Sequence, residues 1–313
     1  MRSLTAVALV LGSAAAAVIA PIWTYAISLS LFGLPHVLVE LRYVDERFAA
    51  RIPRNLIIGL ICGLTGIVLI RAFGLLGAGS SDERITLELV FGGCLVACVL
   101  PLLRHAKIAP LAIGVIGGLM FGVAYAPITT LVTMALLHNL TPVGFLAERL
   151  HGTERRRAMA ICTIVFGIIP AAILLLPAST MMLTGPLTVG HLEDHISSFV
   201  PPALLGTSIA DRLFAAAAFL QCMHYAVVMH VLPRLSGGTE TTASVISWPK
   251  HRLFTAAVVT IGLLMTIGFI ANFRSARSVY SMFAAVHAWI EIPVLLLACA
   301  VLPRKTAPQP LVT

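Results

Sequence analysis

Charge is what this sequence has least of. Only 11% of its 313 residues are Asp, Glu, Lys or Arg, and 59% are hydrophobic. The mean hydropathy is +0.99. A water-soluble domain needs far more charge to cover its surface, so the composition excludes one and indicates an integral membrane protein. Strict polar/apolar alternation is also missing, which excludes an outer-membrane barrel; apolar runs of about 20 residues recur instead. The expected fold is therefore all-α: a single polytopic bundle of about eight transmembrane helices over residues 1–313. Heptads, solenoid repeats and low-complexity tracts are absent. The six cysteines include no CxxC pair, so neither a structural zinc site nor a disulfide framework is indicated. Cys94 and Cys98 share a helix face, which is the pattern of packing thiols.

Apolar segments run over residues 4–40, 55–77, 87–104, 109–125, 128–148, 158–178, 209–233, 253–273 and 279–302, nine in all if the short, glycine-rich 109–125 piece counts as a full span. The first is too long for one straight crossing. Pro21 kinks it or divides it, and its signal-peptide-like start is read as a retained anchor. Basic residues follow alternate segments. Arg42, Arg47, Arg51 and Arg54 come after the first, Arg104 and Lys107 after the third, and Arg149 and Arg155 to Arg157 after the fifth. Arg234, Lys250 and Arg252 follow the seventh, and Arg304 and Lys305 the last. Residues 158–211 contain no Lys or Arg at all. The positive-inside rule then puts these clusters and the C-terminus in the cytoplasm, and 179–208 outside as a loop or lid. The loop at 235–250 reads as plain linker. The net charge of +8 is topological, so no nucleic-acid partner is expected; the surroundings are membrane lipids.

Of 13 acidic residues, only Glu40 and Glu291 are read as lying well inside apolar spans. Each follows a histidine by four positions, in "PHVLVE" (His36/Glu40) and "VHAWIE" (His287/Glu291), so each pair shares a helix face. His138 and His224 are also mid-span. His36 precedes Arg47 by 11 residues, His138 precedes Arg149 by 11, His224 precedes Arg234 by 10, and Glu291 precedes Arg304 by 13. At the rise of an α-helix these side chains sit roughly 15–20 Å from the cytoplasmic boundary, near the midplane. His36, Glu40, His138, His224, His287 and Glu291 are accordingly the candidate metal ligands and catalytic groups. Imidazole and carboxylate without thiolate suit Fe(II), Mn(II) or Zn(II), in one- or two-metal centres. The competing readings are local His–Glu ion pairs, a proton-coupled transporter using the buried carboxylates, and a haem-binding electron carrier. Gln221 and Asn139 either orient ligands or make plain interhelical bonds. His191, His195 and His230 stay open as participants, and Tyr225, Phe145, Trp289 and Phe283 are candidate channel linings.

The motif "GLPHVLVE" resembles the G-L-P-H-G-A-x-D signature of Brp/Blh-type β-carotene 15,15′-dioxygenases, which are polytopic bacterial and archaeal membrane proteins. "QCMHYAVVMH" is similar to that family's penultimate His-rich helix and "VHAWIEIPVLLL" to its last. The chain departs from the pattern: Glu40 replaces Asp, Val37 replaces Gly, the second histidine of the His-rich helix is displaced to His230, and "HNLTP" lacks an acid. The resemblance implies a non-haem iron (Fe2+) centre using O2 on a lipophilic, carotenoid-like substrate in a bacterial inner membrane. By position, His36, His224 and His287 correspond to iron ligands, with His138 a weaker match.

Overall fold

The computed structural model describes residues 2–177, 181–185, 187–235 and 244–300. Arg304 and Lys305 lie outside these residues, as do residues 236–243 of the 235–250 linker. The chain is an all-α bundle. Among the described residues seven helices are long and apolar enough to cross a membrane, or eight when one bent pair is taken as a span. Such a bundle satisfies its backbone internally, as lipid requires.

The segment 4–40 is two helices. Ala20 leaves helical geometry (φ −138°, ψ 67°), and Pro21 opens the next helix, so α1 (Arg2–Ile19) is separate from α2 (Pro21–Phe48). Then follow α3 (Arg54–Leu75), α4 (Ser81–Leu103) and α5 (Ala109–Tyr125). The 128–148 segment is also broken. α6 (Pro127–His138) and α7 (Thr141–Arg149) meet at a bend of 42°. Thr141 Oγ1 donates to the His138 carbonyl at the break (2.7 Å), satisfying an acceptor that the helix end would leave open. α8 (Gly152–Thr163) continues through a π-helical turn into α9 (Ile169–Leu175), and the four-residue α10 (Glu193–Ile196) lies in the following connection. α11 (Ala210–Ala226) runs through a second π-helical turn, Val227–Val231, into α12 (Leu232–Leu235). α13 (His251–Ala271) and α14 (Phe273–Cys299) complete the bundle.

The most buried spans are those that carry polar groups. In their most apolar windows, α2, α11 and α14 are 56%, 61% and 50% buried, against 11% for α3 and 22% for α13. Lipid is as apolar as leucine, so nothing drives α3 or α13 inward, whereas the helices bearing His and Glu must hide them. The run Ala215 to Ala218 on α11 is entirely buried, and its small side chains allow neighbouring backbones to approach closely.

The two ends of the bundle differ. At one, Arg47 (2.9 Å) and Arg51 (3.4 Å) pair with Glu148. The described end of the supposed linker is tethered there. Val245 N and Ile246 N donate to the Asp45 carboxylate (2.8 and 3.0 Å), as does Trp248 Nε1 (2.8 Å), which corrects the plain-linker reading. At the other end, residues 181–185 and 187–205 form a folded cap. Val189, Leu192 and Val200 are buried against Ile22, Tyr25, Phe214 and Phe273, and Trp23 Nε1 donates to the Thr184 carbonyl (2.9 Å).

Candidate metal centre

Proline at position 35 lies inside α2 and removes one helical hydrogen bond. At the next residue His36 Nδ1 lies 3.0 Å from the Phe32 carbonyl, an acceptor only, so Nδ1 carries the proton and donates. In the neutral ring Nε2 is then a lone pair, and it lies 3.2 Å from His287 Nε2. His138, the last residue of α6, is delivered by the bend, and its Nδ1 sits 2.7 Å from Glu291 Oε2. His224 Nε2 lies 3.3 Å from Glu40 Oε2, and His287 Nε2 lies 4.0 Å from the same oxygen.

The pairing is crossed. Glu40 faces His224 and His287 rather than His36, and Glu291 faces His138 rather than His287. Spacing of four residues therefore does not make local ion pairs here; each carboxylate reaches another helix. Two overlapping donor sets result, one of His36, His138, His224 and His287, the other of Glu40, His224, His287 and Glu291. Within each set the ligand atoms lie within 4.8 Å of one another.

Whether this donor set fits a cation can be judged from its hydrogen bonds. Among the described residues, both oxygens of Glu40, both nitrogens of His224, His287 Nδ1 and Glu291 Oε1 are buried without a hydrogen-bond partner. Buried polar atoms are ordinarily satisfied, and an isolated buried carboxylate is more costly still. A divalent cation among these atoms would offset two carboxylate charges and take up the lone pairs. The donor set fits one. Five of the six imidazole pairs have ring centroids 4.6 to 6.3 Å apart, so the four rings form one tight group.

No family model, curated protein or solved structure matches this chain. What the site can do must come from its own chemistry.

A cavity of about 450 Å³ reaches the cluster, with His138 and His287 on its wall. It extends to Ser198 and Phe199 of the cap and, on its flank, to Ile128 and Leu137. Those two are 38% and 50% exposed, so the cavity approaches the apolar outer surface of the bundle. Tyr225 and Trp289 line it, as the sequence suggests. Tyr225 stacks on His36, with ring centroids 4.0 Å apart. Phe145 instead packs with Tyr43 and Phe48 in a separate core, and Phe283 points outward, 45% exposed.

Gln221 Nε2 donates to Ser28 Oγ (2.8 Å) and Asn139 Nδ2 to the Ala135 carbonyl (3.0 Å), so both make plain bonds that do not reach the imidazoles. His191 and His230 are exposed and lie outside the cluster. His195 is buried in the cap, where its Nε2 bonds to the Val189 carbonyl (2.8 Å).

One buried acid was missed. Glu88 on α4 is only 4% exposed, which corrects the expectation that Glu40 and Glu291 stand alone inside the spans. It accepts from Arg71 Nη2 (2.7 Å), Arg71 Nε (2.9 Å) and Trp289 Nε1 (2.9 Å). The available signal was Arg71, a lone cation inside an apolar run.

Proposed function

We propose that this chain is a membrane-embedded non-haem iron oxygenase acting on a lipophilic, polyene-like substrate. The observation that carries the reading is the convergence of four imidazoles and two carboxylates, from α2, α6, α11 and α14, with buried donor atoms left unpartnered. The resemblance of "GLPHVLVE" and the two later histidine motifs to carotenoid dioxygenases supports iron over zinc. His36, His138, His224 and His287 would hold the ion, with Glu40 and Glu291 as further ligands or as acceptors that set imidazole orientation. Iron(II) in a nitrogen- and oxygen-donor site supplies the O2 chemistry that saturated protein side chains lack.

The chain's own residues do the rest. Leu131, Val132 and Ile292 present an apolar wall that accepts a long hydrocarbon from the bilayer without passing it through water. His138, with 16% of its side chain exposed, and His287 bring the cluster to that wall. Tyr225, stacked on His36, limits rotation of that ring and keeps its Nε2 aimed at the cluster. The buried surroundings exclude bulk water, which protects a reactive intermediate from side reactions.

The test is metal analysis of detergent-purified protein combined with oxygen-dependent bleaching of a carotenoid panel. Iron should co-purify, and chelation should stop bleaching. A folded protein that neither retains nor takes up iron, or one showing a haem Soret band, overturns the proposal.

A further inference from the structure

The far end of the cavity has its own chemistry. Arg277, ten residues before His287 on α14, lies on the cavity wall beside Ser197 and Ser198 of the cap. Its Nη1 donates to His195 Nδ1 (3.0 Å), and its Nη2 donates to Ser198 Oγ. Because His195 Nε2–H is committed to the Val189 carbonyl, Nδ1 is the lone pair that accepts, and the ring is neutral. Burial likewise holds the His195 imidazole below its ordinary pKa. Tyr25 presents its ring to the guanidinium at 6.0 Å. Every partner of Arg277 is thus neutral, and among the described residues it meets no carboxylate.

Its neighbours are different. Arg274 is paired with Asp194 (2.9 Å), and Arg71, also on the cavity wall, is held by both oxygens of Glu88. Among the described residues Arg277 is the one uncompensated cation on this cavity; it faces the polar end, and the remaining wall toward the imidazoles is mostly apolar.

We infer that the cavity takes a long-chain amphiphile with a terminal carboxylate, gripped by Arg277 and Ser198. This deepens the oxygenase reading and rests on it for the fate of the chain, though binding itself does not require metal. A guanidinium presents paired N–H donors matched to a carboxylate, and partial desolvation strengthens that contact. Ten residues of helix separate Arg277 from His287, about 15 Å at the α-helical rise. Oxidation of an anchored acid therefore falls in mid-chain, remote from the carboxylate. Ile128 and Leu137 mark the side from which such a molecule enters from the bilayer.

The experiment uses the full chain in detergent and a fluorescent long-chain polyene acid, its methyl ester and the matching alcohol. Wild type should bind the acid about tenfold or more tightly than the ester or alcohol, as expected of a charge-assisted contact. Arg277→Gln should abolish that preference while still binding the ester, which shows that the cavity survives. Arg277→Lys should retain part of the preference, and Arg274→Gln should retain all of it. Equal binding of acid and ester by wild type overturns the inference, as does a preference for acid that persists in Arg277→Gln. Chelator-treated protein should keep the preference. Its loss there would mean that the carboxylate binds metal, which overturns the role of Arg277 and leaves the metal centre standing. Preference for acid in a protein that takes up no iron would keep Arg277 and remove the oxygenase.

Discussion

A carboxylate such as Glu40, fully buried with neither oxygen hydrogen-bonded among the described residues, would cost several kcal/mol if left charged and uncompensated. A divalent cation would remove that cost, so the two acids are where the proposed metal is tested. Glu40→Gln and Glu291→Gln keep volume but lose charge, and each should weaken iron affinity by roughly 10–100-fold. Competition with a chelator measures it. Variants with wild-type affinity would assign the acids to a proton relay, as in a transporter. His36→Ala should lower iron occupancy without loss of membrane insertion, because insertion depends on the apolar spans. His195 makes a different kind of prediction. Burial depresses its pKa, so below the unfolded value of about 6.5 the unfolded chain binds the extra proton more readily. The neutral ring's contribution is therefore present above that pH and is lost as pH falls toward the folded pKa. Protonation also removes the acceptor for Arg277, while Asp194 and Arg274 nearby remain paired. Amide protection factors across residues 189–199, taken relative to the unfolded chain at each pH, should fall between pH 7 and pH 5, and His195→Asn should flatten that dependence.

At the scale of elements, α14 is the hub. It supplies Arg277 at the cap, Trp289 against α4, and His287 and Glu291 at the centre. Its position against α4 depends on Gly92, where an added Cβ would lie 2.1 Å from Trp289 Cζ3. The indole has little freedom to retreat, because Nε1 is bonded to Glu88, which Arg71 holds in turn. Gly92→Ala should destabilise the protein by about 1–3 kcal/mol, the usual effect of overpacking, and should also reduce iron occupancy by displacing His287. Thermal unfolding in detergent together with metal analysis checks both. Unchanged iron content would show that the centre tolerates movement of α14. The bend between α6 and α7 has a comparable role. The 42° break follows His138 directly, and at the end of α6 its Nδ1 lies 2.7 Å from Glu291 Oε2.

For the molecule as a whole, the opposed ends predict a topology. The end carrying Arg47, Arg51 and Glu148 should face the cytoplasm and the cap should face outward. A reporter after Arg157 should register as cytoplasmic and one near Gly190 as external; the same side for both would refute this arrangement. The cap end is not free of basic residues, since Arg71, Arg84, Arg212, Arg274 and Arg277 all lie toward it. Arg71 and Arg274 are paired with acids, while Arg84 and Arg212 donate to backbone carbonyls.

The sequence by itself determined the helical membrane class and picked out the six residues that the structure gathers into one buried cluster. Polar groups in apolar runs are costly enough that their presence marks a site, and helical rise alone brings them to a common depth. It did not determine who meets whom. Spacing of four residues suggested His36 with Glu40 and His287 with Glu291, but the tertiary packing crosses them, because partners are chosen by which helix faces which. Glu88 escaped notice because it lies only seven residues from the start of its helix, where acids are common. Arg277 escaped because, beside Arg274, it looks like any boundary arginine. Only folding decided that one of these two would find an acid and the other would face a cavity, since compensation of charge depends on neighbours that are distant in the chain.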